Sequence, residues 1–152
     1  MKYFLIGYMA CGKSRYGRAM AKEQGIPFID LDAYIVRREV RTITDIFRSG
    51  GEQEFRKLER RYLWEVCELY ESFVMATGGG TPCYSDNMEY MNRQGKTIFL
   101  NTDIDTLVER LRRGKQKRPL VRNLEDEQLH DFVAGHLRER MPYYLQAQEV
   151  IQ

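Results

Sequence analysis

Gly7-Tyr8-Met9-Ala10-Cys11-Gly12-Lys13-Ser14 is the stretch on which the reading of this chain turns. It has the form G-x-x-x-x-G-K-[ST]. An apolar run, Tyr3-Phe4-Leu5-Ile6, precedes it and reads as a buried strand. Arg15 to Gln24 follows as a helix closed by Gly25. Strand, glycine-bounded loop and helix start form the context in which this spacing cradles phosphate. Backbone N–H groups of the loop and first helical turn converge on one point and present positive potential to a polyphosphate. Lys13 can reach the β- and γ-phosphates, and the Ser14 hydroxyl can ligate a Mg²⁺ riding on them. The ordinary alternative is a chance glycine turn with an exposed lysine. Eight fitting positions with the right flanks favour a nucleoside triphosphate site.

Working outward, Ile26-Pro27-Phe28-Ile29 predicts a second strand that ends in two acids, Asp30 and Asp32. In extended chain the i, i+2 spacing puts both side chains on one face, and strand carboxyl ends are where a parallel sheet binds ligands. One acid is expected to hold Mg²⁺ through water while the other faces an acceptor. The competing reading is a pair of solvated acids or an N-cap for a helix from Ala33. Thr42 and Asp45 form a capping box for a short helix to Arg48, stopped by Gly50-Gly51. A long helix from Glu52 to about Tyr70 carries Phe55, Leu58, Tyr62, Val66 and Leu69 at helical spacing. Arg56 sits beside that stripe.

Phe73-Val74-Met75-Ala76 reads as a third strand running into Gly78-Gly79-Gly80. Consecutive glycines are costly to order, so they suit backbone that passes close to a ligand with N–H groups free to donate. Ser85 is expected to cap a helix ending near Gly95, Thr97 to Leu100 to form a fourth strand, and Thr102 with Asp105 to cap the helix after it. From Arg110 to Arg122 there are seven basic residues and no acidic one, leaving the rest of the chain net acidic. The run lacks the interleaved aromatics of a single-strand nucleic-acid binder, and its position between helices suits a mobile lid bringing arginine to a γ-phosphate. Glu125 to Arg140 predicts the last helix, broken at Met141-Pro142, and Glu149-Val150-Ile151 opens a fifth strand.

The chain has 152 residues, 43% of them hydrophobic and 30% charged, with a net charge of +2, which suits one globular domain. Cys11, Cys67 and Cys83 are odd in number and lack metal-site spacing, so a reducing, cytoplasmic setting is expected. His130 and His136 are expected at the surface without partners. No apolar run is long enough to span a membrane. Alternating strands and helices without a repeat or linker predict a three-layer α/β/α domain around a parallel sheet of about five strands.

Taken in order, these segments resemble the shikimate kinases, small P-loop kinases of the nucleoside-monophosphate-kinase type. The likeness rests on the phosphate loop, Asp30-Leu31-Asp32, Gly51-Glu52-x-x-Phe55-Arg56, Gly78-Gly79-Gly80, Arg118-Pro119-Leu120 and Arg140-x-Pro142-x-Tyr144. It implies ATP- and Mg²⁺-dependent phosphorylation of the shikimate 3-hydroxyl in aromatic amino-acid biosynthesis, by a monomer without nucleic-acid or membrane partners. It also implies a substrate-binding region at about 32–62 and a lid at about 112–124. The resemblance makes Lys13, Asp32 and Arg118 catalytic. It gives the nucleotide Gly7, Ala10, Cys11, Gly12, Lys13, Ser14, Arg15, Arg113 (against adenine) and Arg118. Asp32, Arg56, Gly78, Gly79, Gly80 and Arg140 would bind shikimate, with the two arginines on its carboxylate. Ser14 and, through water, Asp30 would serve the metal. Such a substrate needs a cation fork for its carboxylate and a carboxylate for its hydroxyls.

The chain departs from the family pattern in three places. Ala10-Cys11 stands where the loop usually has Gly-x, Arg15 replaces a small hydroxyl residue, and relatives continue through a last strand, an adenine-contacting loop and a final helix. A gluconate-type kinase and a family member that binds with little turnover are the alternatives, and a nucleotide-dependent binding module is the reading from outside enzymes.

Overall fold

The computed structural model describes residues 1–114 and 124–152. Its frame is one parallel sheet of β1 Lys2–Ile6, β2 Phe28–Asp30, β3 Phe73–Ala76, β4 Lys96–Leu100 and β5 Glu149–Ile151, in the order β2-β3-β1-β4-β5. Phe4, Leu5 and Ile6 of the central strand are fully buried, as are Phe73, Val74 and Met75 beside them. Successive strand residues face opposite ways, so burial of every one requires cover on both faces of the sheet, the three-layer arrangement expected of an all-parallel sheet. The chain leaves β1 towards one side of the sheet and later returns to its other side, which opens a crevice at the strand carboxyl ends. Leu5 and Asp30 both pair with Ala76, so three strand ends stop level and deliver their loops to one rim.

The helices are α1 Lys13–Gln24, α2 Leu31–Glu39, α3 Ile43–Leu69, α4 Asn87–Gln94, α5 Ile104–Gly114 and α6 Asp126–Tyr144. Gly51 has φ 71° and ψ −171° inside α3, so the predicted stop is a kink, after which the helix resumes at once. Thr42 Oγ1 accepts from the Asp45 amide at 3.0 Å as the capping box requires. Along α3, Trp64 lies flat on Tyr90 of α4, with centroids 4.1 Å apart and an interplanar angle of 7°.

Four local expectations are corrected. The second strand begins at Phe28, where the ladder to β3 starts. Ser85 takes a left-handed conformation (φ 53°), and Asp86, paired with Arg60, holds the N-cap position of α4 without capping it. At α5 the cap is Asp103, which accepts from the Thr106 amide at 3.0 Å and its hydroxyl at 2.8 Å, while Thr102 donates to Cys11 O at 3.2 Å. Finally, α6 runs through Pro142 to Tyr144. The proline forfeits one helical bond, but Tyr144 is fully buried against Phe99 and donates its hydroxyl to Gly79 O at 2.6 Å, which holds the last turn in place.

Candidate active site

The phosphate loop joins β1 to α1. Ala10 and Gly12 both have left-handed φ, 67° and 98°, which coil the loop tightly, and the Cys11 amide donates back to Tyr8 O at 3.2 Å. A side chain at Gly7 would come within 2.6 Å of Cys11 Sγ and 3.0 Å of Leu100 O, so the buried Cys11 thiol packs in the space that this glycine leaves. Lys13 Nζ curls over the loop and donates to Gly7 O at 2.5 Å and Tyr8 O at 3.0 Å, and burial lowers its pKa. Thr102 and Arg110 brace the loop from the far side, Arg110 Nη1 donating to Ala10 O at 2.9 Å.

Two cavities meet at this loop. The outer one, of about 680 Å³, is lined by Gly12, Arg15, Tyr16, Thr102 and Arg110 among others. The inner one, of about 300 Å³, brings together Lys13, Ser14, Asp30, Asp32, Gly78 and Gly79. The two acids share this cavity for a reason other than strand alternation. Asp30 ends β2 and caps α2, its Oδ1 accepting from the Ala33 amide at 3.1 Å, while Asp32 lies in the first turn of that helix. The N-cap reading thus holds for Asp30 without removing it from the cavity. Burial, then the nearby Glu59 and Asp30 carboxylates, push the Asp32 carboxyl up to about 6 against the opposing pull of Lys13 and Arg56. The Ser14 hydroxyl and the Asp30 carboxylate are hard oxygen donors of the kind Mg²⁺ prefers, and that ion usually keeps waters and takes phosphate oxygens for the remainder.

Arg56 and Arg140 come from α3 and α6 and line a third cavity, of about 570 Å³, with Phe47, Tyr84 and His136. The glycine loop is the floor on which they lie. A Cβ on Gly79 would fall 2.8 Å from Arg140 Nη1, and one on Gly80 would fall 2.6 Å from Arg56 Nη2. These glycines therefore make room for two guanidinium groups. The expectation of free loop amides is corrected at Gly78, whose N–H is already bonded to Thr81 Oγ1 at 2.9 Å. Arg56 stacks on Tyr84 at 4.0 Å, and its Nε is buried with no hydrogen-bond partner.

Sequence reasoning missed three residues. Glu59 is fully buried, accepting from Arg56 Nη1 at 2.9 Å and from the Thr81 hydroxyl at 2.7 Å. Its i, i+3 spacing from Arg56 was the available signal. His136, expected to be exposed and alone, is half-buried with Nδ1 3.0 Å from Tyr8 Oη. Arg110 lines the outer cavity, whereas Arg113 is largely exposed beside Glu109 and is not among the lining residues. Near the end of α5, the residue that faces the phosphate loop is Arg110, and Arg113, the residue expected against adenine, lies one turn further along the helix. Arg118, and the lid segment beyond Gly114 as far as residue 123, lie outside the described residues.

Comparison with known proteins agrees with this layout. A family model for shikimate kinase matches residues 9–152. The shikimate kinase of Bacteroides thetaiotaomicron is 49% identical over 150 residues, covering 99% of this chain and 85% of the relative. A 1.7 Å crystal structure of shikimate kinase from that organism superposes with a TM-score of 0.94 at 48% identity, covering 100% of this chain and 86% of the other. Shikimate kinase from Acinetobacter baumannii in complex with shikimate gives a TM-score of 0.88 at 32% identity, over 99% of this chain and 82% of that one. With the sheet order, the phosphate loop and the paired arginines all in place, the chain belongs to the shikimate kinase family.

Proposed function

We propose that this protein phosphorylates the 3-hydroxyl of shikimate with ATP, and that the three adjoining cavities divide the work. The observation that carries the reading is the pair of guanidinium groups laid on Gly79 and Gly80 at the edge of the phosphate site. Gly7, Ala10, Cys11, Gly12 and Arg15 shape the phosphate cradle, and Arg110 faces the nucleoside. Arg56 and Arg140 clamp the carboxylate. Asp32, raised towards neutrality, accepts the hydroxyl proton as phosphoryl transfer proceeds. Lys13 neutralises the developing negative charge on the terminal phosphate, and Ser14 and, through water, Asp30 would hold the metal. Mg²⁺ held there would supply positive charge against the phosphate oxygens. Positioning, rather than covalent chemistry, supplies most of the acceleration.

Residues 1–152 act as one domain, with substrate contacts concentrated at about 32–62 and a lid at about 112–124 that brings Arg118 to the γ-phosphate. The protein works in the cytoplasm as a monomer. Among the described residues, no helix is long and apolar enough to cross a membrane. The test is ADP release measured across shikimate, gluconate and nucleoside monophosphates, with and without Mg²⁺. Release with shikimate and Mg²⁺ alone is expected. Preference for gluconate or a nucleotide, or nucleotide binding without turnover, would overturn the reading.

A further inference from the structure

We propose that His136 is a positioning residue for the acceptor clamp, holding the Tyr8 ring of the phosphate loop and, through that ring, the Arg140 guanidinium. This deepens the shikimate reading and rests on it. Tyr8 is the second residue of the phosphate loop and is 1% exposed, yet its hydroxyl is 3.0 Å from His136 Nδ1. The two rings meet edge to face, with centroids 5.4 Å apart at 88°. Phe132, one turn earlier on α6, contacts the imidazole edge-on at 5.1 Å, and Arg140, one turn later, lies 5.7 Å from the Tyr8 centroid. Positions 132, 136 and 140 share one helix face by their i, i+4 spacing, and all three line the acceptor cavity.

The protonation states agree with this geometry. Burial pushes the Tyr8 phenol up to about 12, so it keeps its proton. Burial first, then Arg140, lowers His136 below its ordinary value, outweighing Glu139 and Glu52, so the imidazole is neutral at pH 7. Either tautomer of the neutral imidazole closes this bond, Nδ1 accepting from the phenol or donating to its oxygen. Deleting the imidazole strands a buried hydroxyl. The Tyr8 ring is then free to turn towards another partner, and Arg140 loses the aromatic face beneath it. The phosphate side of the loop is braced separately, by Thr102 and Arg110, so the effect should fall on the acceptor.

The test uses the whole protein with steady-state kinetics in both substrates and thermal melting of every variant. His136→Ala is expected to raise KM for shikimate by about fivefold to thirtyfold, the loss of one aromatic–cation contact, with KM for ATP and kcat little changed. His136→Asn, which keeps an acceptor at the δ position, should recover most of the loss. Tyr8→Leu, which removes the aromatic face itself, should reproduce the His136→Ala defect, and the double variant should be no worse than Tyr8→Leu alone. Equal rises in both KM values, a fall in melting temperature alone, failure of His136→Asn to rescue, or additive defects would each overturn the inference. Wild-type protein that turns over no shikimate would sink the functional reading and this inference with it. Active wild type with a normal His136→Ala variant would sink the inference alone.

Discussion

Replacing Arg56 with alanine should lower the melting temperature and weaken acceptor binding, and the two effects have different partners. The stability effect comes through Glu59, which is fully buried 2.9 Å from Arg56 Nη1. Removing one member of a buried ion pair costs about 3–5 kcal/mol, because a charge is left without its partner. Glu59 keeps the Thr81 hydroxyl at 2.7 Å, so the lower end, about 3 kcal/mol, applies here. At about 2–4 °C per kcal/mol for a chain of this size, the melt should shift down by about 6–12 °C. Adding Glu59→Gln removes the stranded charge while preserving an acceptor for Thr81, and most of that shift should be recovered. The lost stacking on Tyr84 keeps the recovery incomplete. The acceptor effect should not recover. A hydrogen bond to a charged group contributes about 1.5–3 kcal/mol, so KM for shikimate should rise by about 10- to 150-fold in both variants. Melting curves and a coupled ADP assay, with KM for ATP as the control, measure the two quantities separately. A double variant that melts with the single one, or that regains shikimate affinity, would refute the assignment of Glu59 to stability and Arg56 to the acceptor.

Ala10→Gly should raise the melting temperature by up to about 6 °C, because left-handed alanine costs about 1–2 kcal/mol and glycine returns about 0.4–1 kcal/mol as unfolded-state entropy; a lower melt would contradict this. The acid limb of kcat/KM for shikimate should bend near pH 6, where Asp32 titrates, and Asp32→Asn should abolish that limb and reduce kcat by about 10²- to 10⁴-fold. Because the folded-state pKa of Asp32 is raised, its stabilising contribution is complete below the unfolded carboxyl value and is lost as pH rises through about 6. The melting temperature of Asp32→Asn relative to wild type should therefore climb between pH 4 and pH 7.5; a constant difference would sink the shift. Arg110→Ala should raise KM for ATP while Arg113→Ala leaves it unchanged, and the reverse pattern would restore Arg113 to the nucleoside site.

Much of this architecture was legible in the sequence because its signals are local. The phosphate loop, the Thr42 capping box and the apolar strands each declare themselves within about ten residues. The failures are instructive in the same terms. Pro142 reads as a breaker because a local rule cannot see Tyr144 bonded to Gly79, 65 residues away. Asp103 rather than Thr102 caps α5 because Thr102 is engaged 91 residues away at Cys11 O. The glycine loop reads as backbone passing close to a ligand, and the sequence carries no local sign of the two arginines that other helices lay against it. Glu59 and His136 look like ordinary helix residues until the fold turns them against Arg56 and Tyr8. No single-chain periodicity encodes such meetings.

The flat contact between Trp64 and Tyr90 has a practical consequence. Trp64 is the only tryptophan in the sequence, so intrinsic emission excited at long wavelength comes from this one ring. It lies about 12 Å along α3 from Arg56, by helical rise. Its colour and intensity should therefore follow the docking of α3 on α4, which makes it a readout of unfolding. A spectral change on adding shikimate would report movement of the helix, because the fluorophore lines no part of the acceptor cavity.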